Sequence, residues 1–113
     1  MKAQSPIDLN LLAEILGTTE EDTLSEWLFL FLDSFAHMLP PLESAIQNQQ
    51  PMDLRNAAHN AKSTSSNIAA PRLTSLLQDL EVEASSENWN AFSEAIEEIK
   101  SEFDLIVQFC RNR

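Results

Sequence analysis

Apolar residues fall along this chain in steps of three and four, the spacing of one face of an α-helix. In "TTEEDTLSEWLFLFLDSFAHMLPPLESAIQNQQ" they recur at Leu24, Leu28, Phe31, Phe35, Met38, Leu42 and Ile46. Thr18 or Thr19 is the expected N-cap, and the acidic residues that follow suit the positive end of the helix dipole. Pro40 and Pro41 predict a kink or a restart, since each removes a backbone donor. Trp27, Leu30 and Leu32 lie off the main stripe, so part of this helix is apolar on two sides.

Upstream, "IDLNLLAEILG" predicts a short helix over 8–16, ended by Gly17 as a C-terminal cap. Downstream, Pro51 opens a helix running to about Ile68. Its inner face of Leu54, Ala57, Ala58, Ala61, Ser65 and Ile68 is mostly small and permits close helix approach. Pro71 opens the next helix, striped by Leu73, Leu76, Leu77 and Leu80 and ending near Ala84. After a loop at "SSEN", a final helix from Trp89 to about Cys110 carries Phe92, Ile96, Ile99, Phe103, Ile106 and Phe109. Trp89 is expected to anchor it against the bundle. Four long amphipathic helices with short connections pack antiparallel to their neighbours. The expected fold is all-α: an up-down-up-down four-helix bundle with the short first helix laid across it.

Composition agrees with this and narrows the function. A single glycine and few β-branched residues argue against a sheet. At 113 residues the chain is expected to form one domain, 1–113, around one core. A net charge of −11 repels phosphate backbones and anionic lipid, so neither nucleic acid nor membrane is an expected partner. Cys110 stands alone, which excludes a disulfide framework and fits a reduced, cytoplasmic setting. "MKAQSPIDLN" lacks the apolar run of a signal peptide, and "WLFLFL" is too short to span a bilayer. One segment runs against the overall charge: between Pro51 and Arg72, Arg55, Lys62 and Arg72 face only Asp53.

That segment contains His59. Residues three and four apart share a helix face, so His59 is grouped with Arg55, Asn56, Lys62 and Ser63, with Ser66 a turn further on. Ala58 and Ala61 belong to the opposite, buried face. His59 is thus expected among polar and cationic side chains pointing at water, with nothing bulky beside it. Neutral imidazole titrates near physiological pH, and its lone pair is available without a dedicated base. A phosphoryl group accepted there carries about two negative charges, which Lys62 or Arg55 would partly neutralise.

The stretch "AHNAKSTSSNIAAPRLTSLLQDLE" resembles the signature of histidine-containing phosphotransfer (HPt) domains. The matching positions are His59, Ala61, Lys62, Ser63-Thr64-Ser65, Ile68, Ala69-Ala70, Leu73, Leu76 and Leu80-Glu81. The flanking helices, from about Ile7 to Cys110, agree with that family's bundle in number, order and length. The resemblance implies a relay, not a turnover enzyme: a phosphoryl group passes from a receiver-domain aspartate to His59 and on to another receiver aspartate. Receiver domains of response regulators or hybrid kinases are the implied partners, and the protein itself is expected to be a monomer. No cofactor is implied for this chain, the divalent cation belonging to the receiver. His59 would accept the phosphoryl group and Lys62 would stabilise its charge. Arg55, Asn56, Ser63, Ser66 and Glu81 would rim the docking face.

Departures from the family pattern bear on efficiency. Ser63 stands where a glycine is usual; its hydroxyl either slows approach or hydrogen-bonds the phosphoryl group. Ala69 replaces a second usual glycine at the helix end, and Ala61 is small for its position. The resemblance also implies an apolar docking patch from the first two helices, for which Ile7, Leu11, Ile15, Trp27 and Phe31 are candidates, each alternatively a core residue. Leu11 and Ile15 are the two assigned to docking.

Other constellations carry less. His37 has no lysine or small-residue helix around it and is assigned a structural or surface role. Glu94, Glu97, Glu98, Glu102 and Asp104 lack the Glu-x-x-His pairs of a bundled di-iron site and are expected as a solvated face; no metal site is expected. Ser63 to Ser66 lack the partners of a serine nucleophile. Two rival functions remain: a docking module that binds a receiver or kinase without being phosphorylated, and a helical adaptor that self-associates through the apolar residues near Trp27 to Leu32.

Overall fold

The computed structural model describes residues 5–113. Within them lie six α-helices, one 3-10 turn and no strand. They are α1 Leu9–Leu16, α2 Glu21–Ala36, α3 Leu39–Gln47, α4 Pro51–Asn67, α5 Pro71–Glu83, the 3-10 turn Ala84–Ser86, and α6 Trp89–Arg111.

Pairs between helices fix the topology. Between α4 and α5, Ser65 meets Thr74, Lys62 meets Gln78 and His59 meets Glu81. One set of numbers rises as the other falls, so the two helices are antiparallel. In the same sense, Glu21 pairs with Arg113, Phe35 lies 4.9 Å from Phe103 between ring centroids, and Glu43 lies 3.4 Å from Lys100. α2 and α3 are therefore one interrupted arm running antiparallel to α6. With α4 and α5 they complete the expected four-helix bundle. α1 is tied to the α4–α5 corner by the Asp8 N–H, which donates to the Ala69 carbonyl at 2.8 Å.

The interruption of the first arm is a restart. His37 and Met38 keep right-handed backbone angles and bond back three residues, to the carbonyls of Ser34 and Phe35. Pro40 and Pro41 then fall in the first turn of α3, where a missing N–H loses no helix bond. Neither threonine caps α2. Thr18 accepts from the Glu20 N–H at 3.1 Å and closes a turn ahead of the helix, leaving Glu20 as N-cap. Glu21 and Asp22 then occupy the first turn, where the dipole favours them. Asp8 and Asn88 do act as side-chain caps, accepting from the N–H groups of Leu11 and Ala91.

Three helix ends repeat one hydrogen-bond pattern. At 17–18, 49–50 and 69–70, paired N–H groups reach back to carbonyls three and five residues upstream, closing Schellman turns. Each requires a left-handed residue: Gly17 (φ 70°), Gln49 (φ 51°) and Ala69 (φ 59°). Only the first is a glycine. Gln49 is exposed, so Gln49→Gly is expected to raise stability by about 0.5 kcal/mol in urea titration, the relief of strain exceeding the added unfolded-state entropy. Ala69 is buried. Losing its methyl costs about 0.8 kcal/mol and offsets the same relief, so Ala69→Gly is expected to be nearly neutral.

The predicted stripes converge on one core. Leu28, Phe35, Leu42, Leu54, Leu73, Leu77, Ile99 and Ile106 are fully enclosed in it. Ile7 and Phe31, which were candidates for docking, are core residues too. Trp89 packs at the core's edge, its ring T-shaped to Phe92. Glu102 departs from the expected solvated face. It lies between Ile99 and Ile106 on the apolar stripe and is 4% exposed. A lone buried carboxylate is costly, and Arg72 of α5 supplies the counter-charge through its Nε at 3.3 Å.

Candidate functional site

The α4–α5 seam is built from small residues. Ala58 and Ala61 are enclosed beneath the outer face of α4, and Ser65 bonds across to Thr74 at 2.9 Å. These small side chains let α4 and α5 come close enough for polar side chains to bridge between them. His59 stands in the middle of α4 with its side chain 59% exposed. Gln78 and Glu81, one turn apart on α5, face it and Lys62.

Glu81 joins two residues of α4. Its Oε2 lies 3.2 Å from His59 Nδ1, and its Oε1 lies 2.8 Å from Lys62 Nζ. Oε1 is buried and the ammonium is its counter-charge, a contact made by attraction and not by an aligned hydrogen bond. Lys62 donates instead to Gln78 Oε1 at 2.8 Å. Lys62 holds the Glu81 carboxyl below its ordinary value of 4.5; partial burial opposes this, and His59 adds to it. The carboxylate thus stays charged to lower pH than an ordinary glutamate. Whatever the network adds to stability is present above 4.5 and is lost as the pH falls through the lowered value.

This geometry selects a tautomer. A carboxylate can only accept, so His59 Nδ1 carries the proton and Nε2 is left with the lone pair. Glu81 holds the ring in that state, the orienting relation a carboxylate has to histidine in hydrolase triads. The site therefore offers an exposed, oriented nitrogen nucleophile.

The remaining candidates divide. Arg55, Asn56, Ser63 and Ser66 are exposed on the His59 face of α4. The Ser63 hydroxyl donates to the His59 carbonyl at 3.2 Å. Lys62 differs from the expectation that it points at water: its side chain is only 23% exposed, drawn onto α5 by Glu81 and Gln78. Glu81 likewise is turned inward, 17% exposed, and does not rim the face. Arg72 is engaged by Glu102, so the basic segment presents less free charge than its sequence implies. Gln78 was missed; its place one turn before Glu81 on the same face of α5 was the available signal. Leu11, Ile15 and Trp27 are exposed, unlike Ile7 and Phe31. His37 Nδ1 donates to the Asp33 carbonyl at 2.8 Å near the end of α2. Among the described residues no group of three or more His, Cys, Asp or Glu could hold a metal ion, and no helix is long and apolar enough to cross a membrane.

Comparison with known proteins agrees with the resemblance seen in the sequence. No curated protein matches significantly. The crystal structure of histidine-containing phosphotransfer protein B (HptB) from Pseudomonas aeruginosa PAO1 is similar, with a TM-score of 0.84 and 25% identity over 97% of this chain and 95% of that one. Residues 26–109 match the Hpt domain family, and these include α4, α5 and the whole His59–Lys62–Gln78–Glu81 cluster. The chain belongs to the Hpt domain family, histidine phosphotransfer carriers that work with receiver domains in phosphorelays.

Proposed function

We propose that His59 is the residue through which this chain carries the phosphoryl group between receiver-domain aspartates. The observation that carries the assignment is the exposed imidazole whose Nδ1 is held by Glu81. His59 Nε2 attacks the phosphorus of an aspartyl phosphate. The N–P bond forms as the P–O bond to the aspartate breaks, and the carboxylate leaves with the bonding pair. Glu81 balances the positive charge left on the ring. The onward step reverses this, an acceptor carboxylate attacking phosphorus while Nε2 recovers its lone pair.

Lys62 is the charge-stabilising neighbour, three residues from His59. Arg55, Asn56, Ser63 and Ser66 form the surface a receiver covers, with Leu11 and Ile15 as its apolar border. The chain works without a cofactor of its own and has no autonomous kinase or hydrolase site; the divalent cation comes with the receiver. It acts as a monomer in the cytoplasm.

The test is phosphotransfer from a panel of phosphorylated receiver domains to the wild type and to His59→Gln. Label on the wild type alone supports the reading. Receivers that bind but pass no label to either chain would point to a docking module instead. For the border, Leu11→Ala or Ile15→Ala is expected to weaken receiver binding about tenfold, as for an apolar contact residue. Both side chains are exposed, so the melting temperature should barely move. A large fall in melting temperature with unchanged binding would place them in the scaffold.

A further inference from the structure

Ser63 lies one turn C-terminal to His59. Helical side chains lean toward the N-terminus, so its hydroxyl covers the turn from which the imidazole springs. Arg55 and Asn56 lie a turn earlier, on the side toward which the imidazole itself leans. The Ser63 Oγ donates to the His59 carbonyl. Within α4 that carbonyl already has the Ser63 N–H as its helical partner, so the hydroxyl bond is a surplus second contact. Breaking it orphans no buried group. Lys62 is in the opposite position: moving it strips a buried carboxylate oxygen of its counter-charge. Ser63 is therefore a donor beside His59 that is released at less cost than Lys62.

We propose that Ser63 is a phosphoryl-holding residue: when His59 is phosphorylated, its hydroxyl leaves the His59 carbonyl and donates to a phosphoryl oxygen, prolonging the phosphohistidine. This rests on His59 being the acceptor. No bond to Ser63 is made or broken; its single proton changes partner. In the loose transition state of phosphoryl transfer, charge moves toward the leaving nitrogen. A donor on the phosphoryl oxygens then stabilises the ground state more than the transition state, and hydrolysis slows.

The test uses the full chain carrying His37→Gln, so that one imidazole remains, phosphorylated with potassium phosphoramidate and followed by phosphorus NMR. Ser63→Ala is expected to shorten the phosphohistidine half-life about three- to fivefold, the effect of losing one hydrogen bond to a charged group in a wet site. Ser63→Thr keeps the hydroxyl and should keep the half-life within about twofold. Alanine is a good helix former, and a melting curve checks that the fold is retained. An unchanged half-life in Ser63→Ala, or one equally short in Ser63→Thr, would overturn the role of Ser63 and leave the acceptor assignment standing. Transfer of receiver label onto His59→Gln would overturn the acceptor assignment itself.

Discussion

Replacing His59 with glutamine is expected to reduce label transfer from every competent receiver to background, a loss of at least about 10³-fold, as when a nucleophile is removed. Glutamine keeps a donor for Glu81 and has no nucleophilic nitrogen, so it separates chemistry from scaffolding. Lys62 retains Glu81 and Gln78 as partners. The side chain at this position is largely exposed. Stability should therefore change by no more than about 0.5 kcal/mol. Wild-type label should be acid-labile and base-stable, as a phosphoramidate is. Label of the same stability on the variant would move the acceptor elsewhere; His37 would then be the first residue to replace.

The largest expected effect on stability is at Phe35. Its ring is completely buried, 5.4 Å from Phe31 and 4.9 Å from Phe103 between centroids. This trio joins the first arm of the bundle to α6. Phe35→Ala removes the ring, leaves a cavity that rigid helices fill only in part, and is expected to cost about 3–5 kcal/mol. Urea unfolding followed by circular dichroism would read this as a lower midpoint at unchanged slope. The seam at His59 is formed by α4 and α5, so phosphotransfer by the remaining folded protein should persist at low temperature. A loss below about 1 kcal/mol would mean that neighbouring side chains collapse into the space. The contrast with His59→Gln is diagnostic: one substitution removes the chemistry and spares the fold, the other does the reverse.

Much of this was written locally in the chain. The apolar steps from Leu24 to Ile46 located the first arm, and prolines at positions 51 and 71 marked the starts of α4 and α5. The face shared by Arg55, Asn56, His59, Ser63 and Ser66 follows from helical periodicity alone. Local rules misjudged what depends on neighbours. Glu102 reads as one of a run of surface acids, yet its position between Ile99 and Ile106 buries it, and Arg72 from another helix makes that tolerable. Ile7 and Leu11 read alike as apolar residues near the start, and only packing separates the enclosed one from the exposed one.

By itself the sequence determined the helices, their antiparallel order and the polar surface on which His59 stands, because each depends on spacings of a few residues along one chain. Through the family resemblance it also pointed to Glu81. The tertiary structure decided what those groups do to one another. Glu81 is 22 residues from His59 and Gln78 is 16 from Lys62. Whether such pairs meet depends on the turn at Ala69, the close approach over Ala58 and Ala61, and the Ser65–Thr74 contact that sets the register. A bond of about 3 Å tolerates errors of only a few tenths of an ångström, far finer than a hydrophobic pattern specifies. Helical faces are therefore legible one segment at a time, whereas the proton on Nδ1 and the lone pair on Nε2 follow only from two helices held at a fixed distance.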